Sequence, residues 1–253
     1  TMKKKVLAVL LGGCMVAGLL AGCGGGGDDA KTSDDGSKDS GKSGGYNFEV
    51  VVKSFQSTYW QAAKQGIDTA AKELGVKCNT TGPNAESDIA DQVNMLNNAI
   101  NKDPDGIALA ACDQNSVIDS LKTALEKKIP VVCFDSGVPD APEGSVYATV
   151  VTDNEQAGGI AAEHIYPAIK DKLGKGQVRV GEVNQDATSA NISERGMGFI
   201  NKFIELAKAD GFTVAVVGND FYVNQVKDNG DQASADVILE VAVPAQTTVE
   251  LCA

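Results

Sequence analysis

FEVVVKSFQSTYWQAAKQGIDTAAKELG, residues 48–75, is the stretch whose reading decides the fold. Phe48 to Val52 is a short, largely apolar run rich in valine, long enough for one strand and too short for a helix. Trp60, Ala63, Ile67, Ala70, Ala71 and Leu74 then fall three or four residues apart, the spacing of one helix face, and Gly75 supplies a stop. A strand that feeds directly into an amphipathic helix is the first half of a β-α-β unit.

Downstream the cycle repeats. Strands are expected at Val76–Thr80, Gly106–Ala111, Pro130–Phe134 and Val146–Val151. Between them, Ser87 is expected to cap a helix with the stripe Ile89, Val93, Leu96 and Ile100, and Val117, Ile118, Leu121 and Leu125 mark the next. Ile160, Ala161, Ile165 and Ile169 mark a helix after the fifth strand. Val178–Val183 then reads as a strand, Ile192–Leu206 as a helix, Phe212–Val217 as a strand, Gln232–Val241 as a helix and Thr247–Cys252 as a strand. Strands that are apolar throughout are expected to be covered on both faces, as in parallel sheets, and strict alternation of β and α implies a doubly wound α/β fold. In such folds ligands bind outside the carboxyl ends of the strands, which selects the loops after Val52, Ala111, Phe134, Val151, Val183 and Val217.

Upstream the chain changes character. Lys3, Lys4 and Lys5 precede an apolar run from Val6 to Ala21, too short to span a bilayer comfortably and ending in Leu20-Ala21-Gly22-Cys23. Basic residues, a short apolar run and small residues before a cut are the marks of a signal peptide. Residues 24–45, GGGGDDAKTSDDGSKDSGKSGG, contain no aromatic or branched aliphatic residue, so they cannot bury a core and read as a flexible tether. The formal charge of −12 argues against nucleic acid or anionic lipid headgroups as partners. Cys78, Cys112, Cys133 and Cys252 sit in or beside apolar runs and read as small buried hydrophobes; their spacing fits no zinc pattern, and a disulfide among them stays open. His164, the single histidine, has no ligand-spaced partner and reads as a structural or surface residue. No phosphate loop, nucleophile elbow or catalytic carboxylate pair appears in context, so no enzyme and no cofactor is expected.

The segments VVKSFQSTYWQAAKQGIDTAAKELG (51–75), IPVVCFDSG (129–137), ATVVTDNEQAGGIAAEHI (148–165) and TSANISERGMGF (188–199) resemble, in order, those of the ribose-type periplasmic binding proteins. LAGC at 20–23 resembles the lipobox of bacterial lipoproteins, which implies a lipid on Cys23 as the first mature residue; two acyl chains anchor where one holds only marginally. The resemblance implies the type I architecture: two doubly wound parallel-sheet lobes that close on a ligand. The expected organisation is a signal peptide at 1–22, a lipidated cysteine and tether at 23–45, an N-terminal lobe at 46–151 and a partial C-terminal lobe at 152–253. Because TTVELCA ends within an expected strand, the second lobe is expected to be truncated and the chain alone to bind poorly.

The same resemblance implies the candidate site. Tyr59 and Trp60 stand where the family has paired aromatics, suited to the C–H face of a sugar ring. Asp135 stands at the family's sugar-binding aspartate, a charged acceptor for two hydroxyls. Ser136 replaces an arginine common there, which puts ribose itself in doubt. Arg195 matches the arginine that reaches the ligand from the second lobe. Lys53, Ser57, Asp113, Asn191 and Phe221 are further candidates. The implied function is capture of a monosaccharide outside the cytoplasmic membrane by a monomeric, lipid-anchored protein that serves an ABC transporter permease. A receptor presenting a furanone-type or sugar signal to a sensor is the alternative. A repressor core of the same fold would need an N-terminal helix-turn-helix.

Overall fold

The computed structural model describes residues 45–245. The first part of the chain runs β1 (Asn47–Val51), α1 (Thr58–Leu74), β2 (Lys77–Thr81), α2 (Ile89–Asn101), β3 (Gly106–Leu109), α3 (Ile118–Glu126), β4 (Val131–Phe134) and β5 (Ala148–Val150). Its five strands form one sheet in the order β2-β1-β3-β4-β5, every neighbouring pair parallel. The order reverses between β1 and β3, so the crossovers leave that point in opposite directions and open a crevice at the strands' carboxyl ends.

Two apolar clusters sandwich this sheet. Val51, Leu96, Ile100, Leu109, Leu121 and Val131 pack on the α2 and α3 side. Val50, Val52, Trp60 and Ala110 pack beneath α1. The α1 stripe is only half covered: Trp60 is buried, while Ala63, Ile67 and Ala71 are half-buried, Ala70 is exposed and Leu74 is 75 % exposed. Gly75 ends α1 with φ at +66°, its N–H turned back to the Ala71 and Lys72 carbonyls, a conformation that glycine adopts without a Cβ penalty. Ser87 does not cap α2. The helix begins at Ile89 after Asp88, whose carboxylate folds back to accept the Ala85 N–H.

The remainder runs α4 (Asn154–Lys170), β6 (Val178–Val183), α5 (Ala190–Ala209), β7 (Val214–Gly218), α6 (Asp220–Val223) and β8 (Val237–Ala242). Its strands form a second parallel sheet, ordered β6-β8-β7. The expected helix at Gln232–Val241 is absent. Val237, Ile238, Leu239 and Val241 are all buried, and the run fills the centre of the sheet as β8, because a strand between two neighbours can be apolar on both faces. The expected strand Thr247–Cys252 lies outside the described residues, as do Cys23 and Cys252.

Helix α4 also buries a different face from the one expected. Ile160 and Ile165 are exposed, and Gly158, Ala162 and Tyr166 are buried instead. Two glycines cause this. A Cβ on Gly158 would collide with the Arg195 carbonyl, and one on Gly198 with the Glu155 carbonyl, so α4 and α5 cross with their backbones nearly touching. Around that crossing Tyr166 meets Phe203 edge to face at 5.6 Å, above Val214, Val216 and Leu239. Among the described residues no helix is long and apolar enough to cross a membrane.

Candidate functional site

The carboxyl ends of β1, β3 and β4 converge on one edge of the first sheet. Gln92 of α2, 1 % exposed, holds two of them: its amide donates to the Val52 and Ala110 carbonyls at 3.1 and 2.9 Å and accepts the Cys112 N–H at 2.8 Å. Both strand ends at the switch point are thereby fixed by one side chain that uses both its donors and its oxygen, and Lys53 and Ser54 leave β1 in a defined direction.

Asp135 follows β4 with φ at +61°, a left-handed conformation that aspartate tolerates better than most side chains. Its N–H is tied to the Val150 carbonyl. That turn carries the carboxylate out to meet two donors: Tyr59 Oη at 2.8 Å from Oδ1 and Asn191 Nδ2 at 3.1 Å from Oδ2. The bond to Asp135 lifts the Tyr59 hydroxyl to about 12, with burial adding to it, while the Arg195 charge pulls the other way. Tyr59 is itself 59 % exposed, so the aromatic reaches the pair from the rim. Asn191 comes from the first turn of α5, on the second sheet's side, and its buried Oδ1 has no partner.

A second polar cluster lies on the other side of Trp60. The indole N–H donates to Glu86 Oε1 at 2.8 Å; Lys53 Nζ lies 3.2 Å from Glu86 Oε2, and Gln185 Nε2 donates to the same oxygen at 2.6 Å. Trp60 is 2 % exposed and packs on Phe134 and Tyr59. It is thus a core anchor whose polar edge faces the cleft, and no open face of its ring is presented. Lys53, 1 % exposed, is an ion-pair partner at the cleft floor.

The other expected residues divide. Ser57 stands at the start of α1 without making a cap bond and lines a cavity of about 710 Å³ together with Glu86 and Gln185. Ser136 is fully buried with its hydroxyl unpaired, one residue behind Asp135. Asp113 Oδ1 accepts the Asn115 and Ser116 N–H groups, so that oxygen shapes the turn into α3. Arg195 does not reach Asp135; it donates to Asn154 Oδ1 at 2.6 Å, joining α5 to the start of α4. Phe221 lines a separate cavity beside Gln114 and Glu194, away from Asp135.

Glu86, Gln185, Gln92 and Asn154 escaped the reading of the sequence. Glu86 had a usable signal, since its loop follows β2 at the same sheet edge as the others. Gln185 sits in the loop after β6, where Asp186 accepts the Thr188 and Ser189 N–H groups and Tyr222 Oη donates to the Asp186 carbonyl at 2.8 Å. Thr188 completes the contact across the cleft: its hydroxyl donates to the Cys112 carbonyl, and its own carbonyl accepts the Gln114 N–H. Cys112 and Cys133 are buried free thiols, pushed up to about 12 and about 11 by desolvation; Cys78 is half-buried and free.

Comparison with known proteins places this arrangement. The profile of the periplasmic binding protein domain matches residues 48–245. The ribose import binding protein of Bacillus subtilis is 28% identical over 172 residues, which cover 68% of this chain and 52% of that protein. A solved structure described as an ABC transporter, LacI family transcriptional regulator, from Brachyspira murdochii superposes with a TM-score of 0.61 at 33% identity, covering 81% of this chain and 59% of that one. An ABC transporter solute-binding protein from Agrobacterium vitis, solved with bound D-fucose, gives 0.56 at 28% identity, covering 70% and 68%. The chain spans about half the length of the curated relatives it matches.

Proposed function

This chain belongs to the family of ribose-type periplasmic binding proteins, and we propose that its cleft captures a monosaccharide outside the cytoplasmic membrane for an ABC importer. One observation carries the reading: Asp135, Tyr59 and Asn191, drawn from both sides of the cleft, meet in a single hydrogen-bonded group, and the buried Oδ1 of Asn191 in that group has no partner. Buried polar atoms are rarely left unpaired. Two neighbouring sugar hydroxyls entering between Asn191 and Asp135 donate, one to the orphaned oxygen and one to the carboxylate, and Tyr59 lies alongside as an aromatic wall at the rim. The relatives point the same way, since their names record ribose and D-fucose.

On this reading the protein performs no chemistry. Binding energy comes from charge-assisted hydrogen bonds and from the aromatic face, and the ligand draws the two lobes, 46–151 and 152–253, onto each other before delivery to a permease. A lipid on Cys23 and the tether after it hold the monomer at the membrane surface. Replacing Cys23 with Ala should release the protein into the soluble fraction; tight retention on membranes would contradict the anchor. The test of the function is a thermal-shift panel of monosaccharides, nucleosides and amino acids on the full-length protein, because a ligand that binds only the folded state raises its melting point. At least one monosaccharide should raise it. A shift with a nucleoside or amino acid and with no sugar would reject the reading.

A further inference from the structure

On the reading that this cleft takes a sugar, we propose that Glu86, paired with Lys53, is its second hydroxyl-recognition point and makes it prefer neutral sugars to sugar acids. Glu86 belongs to no regular element, yet three separate parts of the fold converge on it: the Trp60 indole of α1 and the Gln185 amide of the β6–α5 loop donate hydrogen bonds, and the Lys53 ammonium at the end of β1 pairs with it by charge. Only Gln185 comes from the second sheet's side. A carboxylate has about four acceptor positions, so two hydrogen bonds and one ion-pair contact leave at least one open. Lys53, 1 % exposed, stands behind Glu86 as its matching charge.

A neutral hydroxyl donates to the open position on Glu86 and leaves the Glu86–Lys53 charge pair behind it balanced. The space is there. Glu86 and Gln185 border the cavity of about 710 Å³ lined by Ser54, Ser57 and Asn84, within the range of about 300–1,000 Å³ usual for small-molecule sites. They also border a smaller one of about 270 Å³ beside Asp186 and Thr188. A ligand carboxylate has no such place. The Lys53 charge is already matched, and the incoming anion would face both Glu86 and Asp135 in a setting that screens charge poorly.

The experiment compares the full-length protein with E86Q, K53M/E86Q and D135N by calorimetric titration, using D-ribose, D-allose and D-fucose as neutral probes and D-galacturonate as the acidic one. The wild type should bind a neutral sugar at least a hundredfold more tightly than the acid. E86Q should weaken the neutral sugar at least tenfold and, by freeing the Lys53 charge, narrow the neutral-to-acid ratio at least tenfold. Should E86Q fold poorly, K53M/E86Q removes both charges together; it should melt near the wild type and discriminate between the probes less than tenfold. If either folded variant keeps the wild-type affinity and ratio within twofold while D135N loses sugar binding, the role of Glu86 is overturned and the sugar reading stands. If no sugar of either kind binds the wild type, both fall together.

Discussion

Asp135 shows how much one residue's environment decides. Its left-handed φ costs a residue with a Cβ about 1–2 kcal/mol, a cost that aspartate and asparagine offset by local hydrogen bonding. D135N should therefore melt close to the wild type while weakening sugar binding at least tenfold, since bonds to a charged acceptor contribute about 1.5–3 kcal/mol each. D135A should lose both binding and stability, the second by about 1 kcal/mol. Urea titration beside calorimetry separates the two effects. Glu182 of β6 is the opposite case, a carboxyl held against its preference. Desolvation lifts it to about 7, opposed by a bond from Asn184, and its Oε2 has no partner. The folded chain therefore keeps a proton that the unfolded chain releases from about pH 4.5 upward. Between those values the native state binds more protons, so stability falls as pH rises from about 4.5 to about 7 and then levels off. E182Q should match the wild type at pH 5 and exceed it at pH 8 by on the order of 2 kcal/mol; equal stability at both would count against a buried, protonated Glu182.

At the scale of elements, glycine separates two kinds of helix. Gly66 in α1 has no atom within 4 Å of where a Cβ would sit, and α1 lies over the sheet with only its Trp60 end buried. G66A should stabilise by about 0.5–1 kcal/mol through helix propensity alone. Gly158 sits where α4 and α5 touch backbone to backbone, and G158A should destabilise by about 1–3 kcal/mol because that contact cannot open without moving the Tyr166 and Phe203 packing. Denaturant midpoints of the pair read both signs in one experiment. The same contrast explains an error of reading. The isoleucines of α4 form an apolar stripe by residue type, but the crossing buries the glycine face, because close approach rewards the absence of a side chain. The expected helix at Gln232–Val241 gives way to β8 for a related reason: in a short apolar run, strand and helix look alike until a gap in a sheet selects the strand.

At the scale of the molecule, the two sheets meet across the cleft through polar contacts. Asn191 to Asp135, Gln185 to Glu86 and Thr188 to Cys112 are hydrogen bonds a ligand can replace, whereas the apolar clusters stay on their own sides. The full-length protein should therefore show a smaller radius of gyration by X-ray scattering with a bound sugar than without one; an unchanged radius would mean that the lobes do not move. The alternation of β and α runs and the sheet edge where ligands gather were legible in the residues alone, because hydrophobic period and glycine stops are local properties. The place of Asp135 after an apolar strand at that edge was legible in the same way, while its part in a site came only from the family resemblance. Burial of Trp60 and Lys53, the engagement of Arg195 by Asn154 and the convergence on Glu86 were decided only in three dimensions. Each depends on which side chain arrives from a distant part of the chain, 26 to 99 residues away in the case of Trp60 and Gln185 at the Glu86 carboxylate, and no local pattern encodes that.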